Sequence, residues 1–575
     1  VNGTATTDSE FGANFSASGP LSEQLGFVLS ASYSKWDGNV TNLVNNQKVG
    51  GNETFNARAK LRWEPSDSAK ITLSANYIKG NTTVGRPFIR MSANALLRGT
   101  AGQTPAVTMP GVTISEMNQA ISNNYPATTR YHGWGGNLRA EFGLGEHTLV
   151  SITSYDKFRL DDYLDQDDTA SPLPIGSNIQ VGAFKSNLFT QEVRLLSPGD
   201  KPFRYTLGAY VADVKFERPF YRGPAFSLAN WEAMSKSTQV AGFVQADWEF
   251  MPKATLTGGA RIQNEKIRYA FTSRAAPVGT WSGNASDTAA TWRASLKYEF
   301  SPTVNAFATV STGYKGQTYD LTTGFNNNRA AAGPIKPEKS RDIELGIRSQ
   351  LFDRKVTLNV TLFDTVYRNL QAQTIETLAD GTANFRLTNV GKLGTKGVEI
   401  DTLIRPSDTF SLNGSFAILD ATYLDFPVAP CFPLQTAAQG CVTVPGQPTR
   451  QNLTGERAVQ APEFKFSIGA EYTPAITDTL RGVVQANWQH TSSVNYVARD
   501  PETFQKAFSI VNLGIGLRAE ERKWEVTAFV NNLFNQQYFP SLANSAGNWG
   551  NNIATQALLP RDFKRYGGIR FSLNY

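Results

Sequence analysis

The chain is poor in the residues on which much protein chemistry depends. Among 575 residues there are two cysteines, five methionines and three histidines. His132, His147 and His490 lie far apart, with no zinc-ligand spacing and no nucleotide-binding glycine loop, so neither catalysis nor a bound cofactor is expected. Long apolar runs are missing too: nothing approaches the roughly 20 consecutive apolar residues of a membrane-spanning helix. The opening "VNGTATTDSEFGANF" has neither a basic start nor an apolar stretch, so it is no secretory signal, and residue 1 is expected to be either a processed end or a cut made within a longer chain, not a natural start. Charge of one sign is scarce. Lys and Arg number 55 against 49 Asp and Glu, and the cations are scattered, which argues against nucleic acid as a partner. With 18% charged and 11% aromatic residues, the composition is low in charge and high in rings for a soluble protein.

What is present is alternation. In "KITLSANYIKG", Ile71, Leu73, Ala75 and Tyr77 alternate with Thr72, Ser74 and Asn76. "RKVTLNVTLFD" does the same with Val356, Leu358, Val360 and Leu362, and "WEVTAFVNN" with Trp524, Val526, Ala528 and Val530. A period of two with one apolar face marks strands between two media, and no 3.6-residue stripe competes in these segments. The connections are lopsided. Short corners such as "EPSDS" from Glu64, "GLGEH" from Gly143, "SPGDKP" from Ser197, "SPTV" from Ser301 and "RPSD" from Arg405 carry turn residues. Long polar loops lie at the other ends, at 80–128, 159–183, 217–236, 317–337, 422–458 and 535–562.

Counting between connections gives about 21 strands, many longer than the ~10 residues that cross a bilayer. Tandem sandwiches would need linkers and turns of mixed length, and a propeller would show a repeat of roughly 40–50 residues. Strict alternation of short and long connections fits neither. It predicts an all-β fold, a transmembrane antiparallel β-barrel with its apolar face toward lipid and polar face inward. Strands are expected at 53–64, 69–79, 254–268, 355–368, 523–534 and 563–575, with Ile71, Leu73, Val356, Leu358, Val526 and Val530 facing lipid. Thr357, Asn359, Thr361, Glu525, Thr527, Arg58, Lys60 and Arg62 are expected to face the lumen. Trp63, Trp248, Tyr298, Phe300, Tyr472 and Trp524 sit beside short turns, where an interfacial girdle belongs.

"FVNNLFNQQYF" from Phe529, followed by "LPRDFKRYGGIRFSLNY", resembles the C-terminal signature of TonB-dependent outer-membrane receptors. Further matches are "FTQEVRLLSPGDKPFRYTLGAYV" from Phe189, "VAGFVQADWEF" from Val240, "IKPEKSRDIELGIRSQLFDRKVTLNVTLFDT" from Ile335 and "NVGKLGTKGVEID" from Asn389, so the resemblance covers essentially the whole chain. It implies a 22-stranded, monomeric barrel in the cell outer membrane, in contact with lipid and lipopolysaccharide. It also implies a final strand whose Phe571, Leu573 and Tyr575 present an assembly signal, and an N-terminal plug with a TonB box. Neither the plug nor the box is recognised here, and "TDSEFGANFSASGPL" resembles the second barrel strand, so residues 1–575 are expected to be barrel alone, with plug and first strand upstream. The function implied is uptake of a scarce nutrient, by default a ferric siderophore, energised by the TonB–ExbB–ExbD system through the plug. The alternative is a plugless passive pore or structural surface barrel.

Three features remain. Cys431 and Cys441 share the loop "CFPLQTAAQGC" and are expected to pair in an oxidising envelope, with two free thiols as the other reading. "LDDYLDQDDT" offers Asp161, Asp162, Asp165, Asp167 and Asp168 as a weak calcium candidate, against the plainer reading of a solvated acidic loop. "FERPFYRGPAFSLANWEAM" sets Phe220, Tyr221, Phe226 and Trp231 among Arg218 and Arg222, and "GRPFIRM" adds Arg86, Phe88 and Arg90. Arginines among rings suit an anionic, ring-bearing ligand; packing between loops or contact with lipopolysaccharide is the competing reading.

Overall fold

A strand with one face in lipid has no water to satisfy its backbone, so every ladder must find a partner and the sheet must close. In the computed structural model, which describes residues 1–171, 179–223, 228–321, 324–377, 383–445, 449–519 and 521–574, the strands close into a 22-stranded antiparallel barrel. Asn2–Thr6 makes the closure, pairing with Glu10–Ser22 on one side and Tyr566–Leu573 on the other. The expectation that the first strand lies upstream is thereby corrected, and with it the count of about 21 strands. "NGTAT" is too short and too polar to show a period, so its strand character comes from the two edges it joins. A further short strand, Ala475–Thr477, pairs only with Leu480–Thr491 beside a turn.

The six expected strands are present as Asn52–Ser66, Ala69–Thr83, Ala254–Ser273, Val356–Thr377, Trp524–Asn531 and Tyr566–Leu573. Register confirms the two faces. Leu61 opposes Leu73 and Trp63 opposes Ile71, while Lys60 opposes Ser74 and Arg62 opposes Thr72. Leu73, Val526, Ile515 and Ile569 are exposed to the outside of the barrel. Trp63, Trp248, Tyr298, Phe300 and Tyr472 are likewise exposed beside the short turns. On the inner face, Arg518 pairs with Glu525 at 2.7 Å and Glu471 at 3.1 Å, and Gln485 donates to Glu471 at 2.8 Å. Arg518 faces Glu525 across adjacent strands and reaches Glu471 over the strand between, which offsets much of the cost of removing these charges from bulk water. At Gly208 a side chain would strike the Phe243 ring at 2.0 Å, so this glycine gives the ring room to lie across the inner wall.

The long loops fold back over one end of the barrel as a cap. Phe88–Met91, Ala554–Leu558 and Ser541–Asn544 form a small sheet joining loops distant in sequence. Val40–Asn42 pairs antiparallel with Gln47–Val49 and parallel with Ala120–Ile121. Apolar side chains collect where these loops meet, in one cluster around Phe88, Leu97, Met109 and Trp549 and another around Ile89, Phe539, Leu542 and Phe563. Cys431 and Cys441 are bonded in their loop, beside a third cluster built on Val390, Phe426 and Leu453.

Candidate ligand-recognition site

Period two decides which loop-end residues look inward. Phe203–Arg222 and Ala229–Met251 pair so that Phe220 opposes Trp231 and Phe216 opposes Ser235. Leu207 and Val211 on the first strand are exposed outward, so Phe216, Arg218, Phe220 and Arg222 occupy the inner row. Tyr221 falls on the other face and is exposed. The structure therefore brings Arg218, Phe220 and Trp231 together and leaves Tyr221 apart; Phe226 lies outside the described residues.

The Arg218 guanidinium sits 4.6 Å from the Phe184 ring centre, 5.3 Å from Trp231 and 5.4 Å from Phe220. Phe220 stacks on Trp231 at 4.7 Å and 20°. Trp231 continues to Phe271 at 5.1 Å, and Phe271 to Phe325 at 5.4 Å. Tyr269 stands 4.2 Å from Tyr319 and 5.1 Å from Phe325. The result is a wall of rings on the inner face at the mouth, with a cation on one flank. Trp231 and Phe271 are themselves covered, and the flank open to a ligand is the side of Arg218 and Arg222, both half-buried.

Burial first, then the positive charge of Arg98, holds the Arg222 guanidinium below its ordinary range. Arg98 belongs to the short helical turn Leu97–Gly99 and donates to the side-chain Oδ1 of Asn548 at 2.7 Å. Burial holds its guanidinium below the ordinary range, partly offset by the Asp167 carboxylate. Sequence reasoning missed Arg98, and a lone arginine in "LLRGT" carries no signal.

The other arginine–aromatic group does not join this wall. Phe88 is 3% exposed and meets Trp549 edge-on at 5.4 Å. Arg90 pairs with Glu116 at 3.1 Å and donates to the Glu502 backbone oxygen at 2.9 Å. Both tie loops together. Arg86 lies near Asp168, whose carboxyl burial pushes up while the Arg86 charge pulls it down.

The five aspartates do not converge. Asp161 pairs with Arg159 at 2.6 Å, whereas its neighbour Asp162, on the opposite face, accepts from Thr129 at 2.9 Å. Asp165 accepts the backbone N–H groups of Asp167 and Asp168, and Asp167 those of Thr169. Asp168 accepts from Gln556 at 2.8 Å. Burial first, then the charges of Asp167 and Asp168, push the Asp165 carboxyl well above the usual range. Among the described residues no group of three or more His, Cys, Asp or Glu is arranged to hold a metal ion. The histidines have local roles: His147 hydrogen-bonds Tyr205 at 2.9 Å and His490 bonds Ser509 at 2.9 Å. In the last strand Phe571 is exposed and Leu573 opposes Trp524, while Tyr575 lies outside the described residues.

Comparison with known proteins bears on this geometry. The family described as "TonB dependent receptor-like, beta-barrel" matches residues 2–533. The ferric yersiniabactin uptake receptor FyuA from Yersinia pestis superposes with a TM-score of 0.77 at 16% identity, over 100% of this chain and 79% of its own. The siderophore receptor PiuA from Acinetobacter baumannii gives 0.72 at 14%, over 100% and 81%. At such identities the likeness concerns the fold. The ferric-pyoverdine 358 receptor of Pseudomonas putida is 23% identical over 256 residues, 42% of this chain. That match spans only 28% of the receptor's length.

Proposed function

Since the chain belongs to the TonB-dependent receptor β-barrel family, we propose that it is the barrel of an outer-membrane receptor importing a ferric siderophore. The barrel spans the outer membrane. Ligand is captured at the mouth, against the ring wall and the Arg98–Arg222 pair, and passes through the lumen. Energy comes from the TonB–ExbB–ExbD system through a plug segment outside these residues. The observation that carries the reading is Arg218 beside Phe220 in the inner row at the mouth: a cation 5.4 Å from a partly exposed ring, backed by the covered Trp231, sets charge and ring together, as an anionic metal chelate with aromatic groups requires. The names of the similar receptors, which include ferric yersiniabactin and ferric-pyoverdine, point the same way.

The test is uptake of radiolabelled ferric siderophores by a deletion strain complemented with the complete reading frame. TonB-dependent accumulation, reduced about tenfold or more by Arg222→Ala with Arg98→Ala, is expected. Equal uptake without TonB would favour a passive pore.

A further inference from the structure

The barrel wall parts on one side above the membrane. Gly279–Ser301 pairs with Ala254–Ser273 from Gly279 down to Tyr298 in unbroken register. On its other side it meets Val304–Lys315 only from Arg293 downward, where Arg293 opposes Ser311. Above that level Val304–Lys315 stays with Glu338–Leu351 as far as Lys315, opposite Glu338. Thr312 marks the parting. Its hydroxyl accepts from the Trp292 N–H at 2.9 Å and donates to the Trp292 carbonyl at 3.3 Å, a side chain standing where the next rung would be. Both main-chain groups of Trp292 therefore point to this edge, and by the period of two so do those of Ala290, Thr288, Ser286, Asn284, Ser282 and Thr280. Among the described residues, no backbone hydrogen bond meets these groups on that side.

Loop 316–337 does not close the gap. It turns inward, where Tyr319, Leu321 and Phe325 pack against Trp231, Tyr269 and Phe271 on the inner wall. The edge across the gap is treated differently. Above Arg368, Val356–Thr377 turns left-handed at Asn369, with φ 54°. Beyond it the Gln371 N–H is taken by Glu338 at 2.9 Å, and the Gln371 side chain donates to the Gly316 and Lys336 oxygens at 3.0 Å. Such contacts blunt an edge against strand addition. Gly279–Trp292 has no such guard: it contains no Pro, Lys or Arg, and its ladder has no bulge. Its outward side chains above Trp292 are small or polar, so this stretch stands in water. A long, regular, hydrated edge is a template for one more strand.

We propose that Gly279–Ala290 is a docking edge for an extended acidic peptide from outside the cell, added antiparallel in the line that Val304–Lys315 vacates. The acidity follows from the foot of the gap. There a groove of about 560 Å³ is lined by Ala290 and Trp292 together with Lys339, Arg341, Arg368, Lys392 and Asp425. Those four cations have no ion-pair partner among the described residues. A strand laid antiparallel to Gly279–Trp292 enters at this foot, so its acidic side chains lie near its N-terminal end. A second copy of the chain cannot be the occupant. Upright in the same membrane, its own Gly279–Ala290 also descends toward the bilayer, and the two edges never meet antiparallel. Main-chain pairing supplies the affinity, and the cations fix the register. The site lies outside the mouth, apart from the inner ring wall, and rests on the membrane orientation alone.

The test uses the complete protein folded in phosphatidylcholine nanodiscs. The probe is a fluorescein-labelled peptide of alternating Thr and Val that begins with Asp and Glu, and binding is read by anisotropy. Ser286→Pro removes an N–H that points to the open edge and no rung to Ala254–Ser273, so the barrel keeps its ladder. Ser286→Ala is its control, and heat-modifiable gel migration checks that each variant folds. Ser286→Pro is expected to weaken binding at least about tenfold and Ser286→Ala to leave it unchanged. Lys339→Gln with Arg368→Gln and Lys392→Gln is expected to weaken it severalfold, as is replacing the peptide's Asp and Glu by Lys. A peptide methylated at alternate backbone nitrogens is expected not to bind. Hydrogen exchange at Ser282, Asn284 and Ser286 should slow in the complex. No binding to the parent protein, unchanged binding to Ser286→Pro, or full binding of the methylated peptide would each overturn the proposal. The last two would mean that the cations hold acid by charge alone, as they would hold a lipid phosphate.

Discussion

Arg90 donates a 2.9 Å hydrogen bond to the backbone oxygen of Glu502, a residue 412 positions along the chain. Its other two nitrogens reach Glu116 at 3.2 and 3.1 Å, so one guanidinium ties its own loop together and fastens it to a second loop of the cap. Arg90→Ala is predicted to cost the barrel nothing measurable and the cap about 1 kcal/mol, because the group is partly exposed and water competes for it. Hydrogen exchange would show this as faster exchange in 495–505 and 554–558, with the barrel amides unchanged.

Phe88 and Trp549 define a core inside the cap. Truncating a fully packed ring leaves a cavity, and Phe88→Ala is predicted to destabilise the cap by roughly 3 kcal/mol. Limited proteolysis of loops 84–127 and 541–558 should accelerate. Ligand affinity should fall only as far as the cap opens; a tenfold loss with proteolysis unchanged would place Phe88 at the ligand instead.

Asp500 gives the cap a pH dependence. Burial, the leading cause, and the nearby Glu502 charge raise its carboxyl from the ordinary 3.8 to about 6, although the Glu502 backbone N–H favours the charged form. The folded group therefore holds its proton to a higher pH than the unfolded one. Stability from this residue is greatest below about 4 and falls as pH rises to about 6, by on the order of 2 kcal/mol. Exchange at Thr503 and Tyr496 should quicken over that interval, and Asp500→Asn should flatten the response.

On the lipid side, Ile515 is 66% exposed in the middle of Phe508–Ala519. Ile515→Arg is predicted to destabilise the folded barrel in bilayers by about 2–4 kcal/mol, and much less in detergent, where the charge finds water more easily. Urea titration in liposomes measures it.

How much of this was readable beforehand follows the range of the interactions. Ile71, Leu73, Val356 and Val526 announce their face because alternation is local, and the turn chemistry at "EPSDS" or "SPGDKP" is local too. The pairing of Cys431 with Cys441 needed only compartment and proximity. The first strand could not be read, since "NGTAT" becomes a strand through its partners at Phe11–Asn14 and Gly568–Ser572. The arginine–aromatic motifs were visible as composition, but their fates diverge through contacts that no window of sequence contains. Arg218 joins Phe184 across the strand pair, while Phe88 meets Trp549 near the other end of the chain.

The account rests on the barrel interior being the transport path, controlled by a segment outside residues 1–575. Conductance across planar bilayers addresses that directly. Residues 1–575 refolded alone are predicted to form a wide, long-lived open pore, because Arg58, Lys60, Arg62 and Glu525 line a lumen suited to water. The complete reading frame in the same bilayer is predicted to be closed. A folded 1–575 barrel that conducts little or nothing would mean that the loops seal the lumen themselves, and would contradict the account.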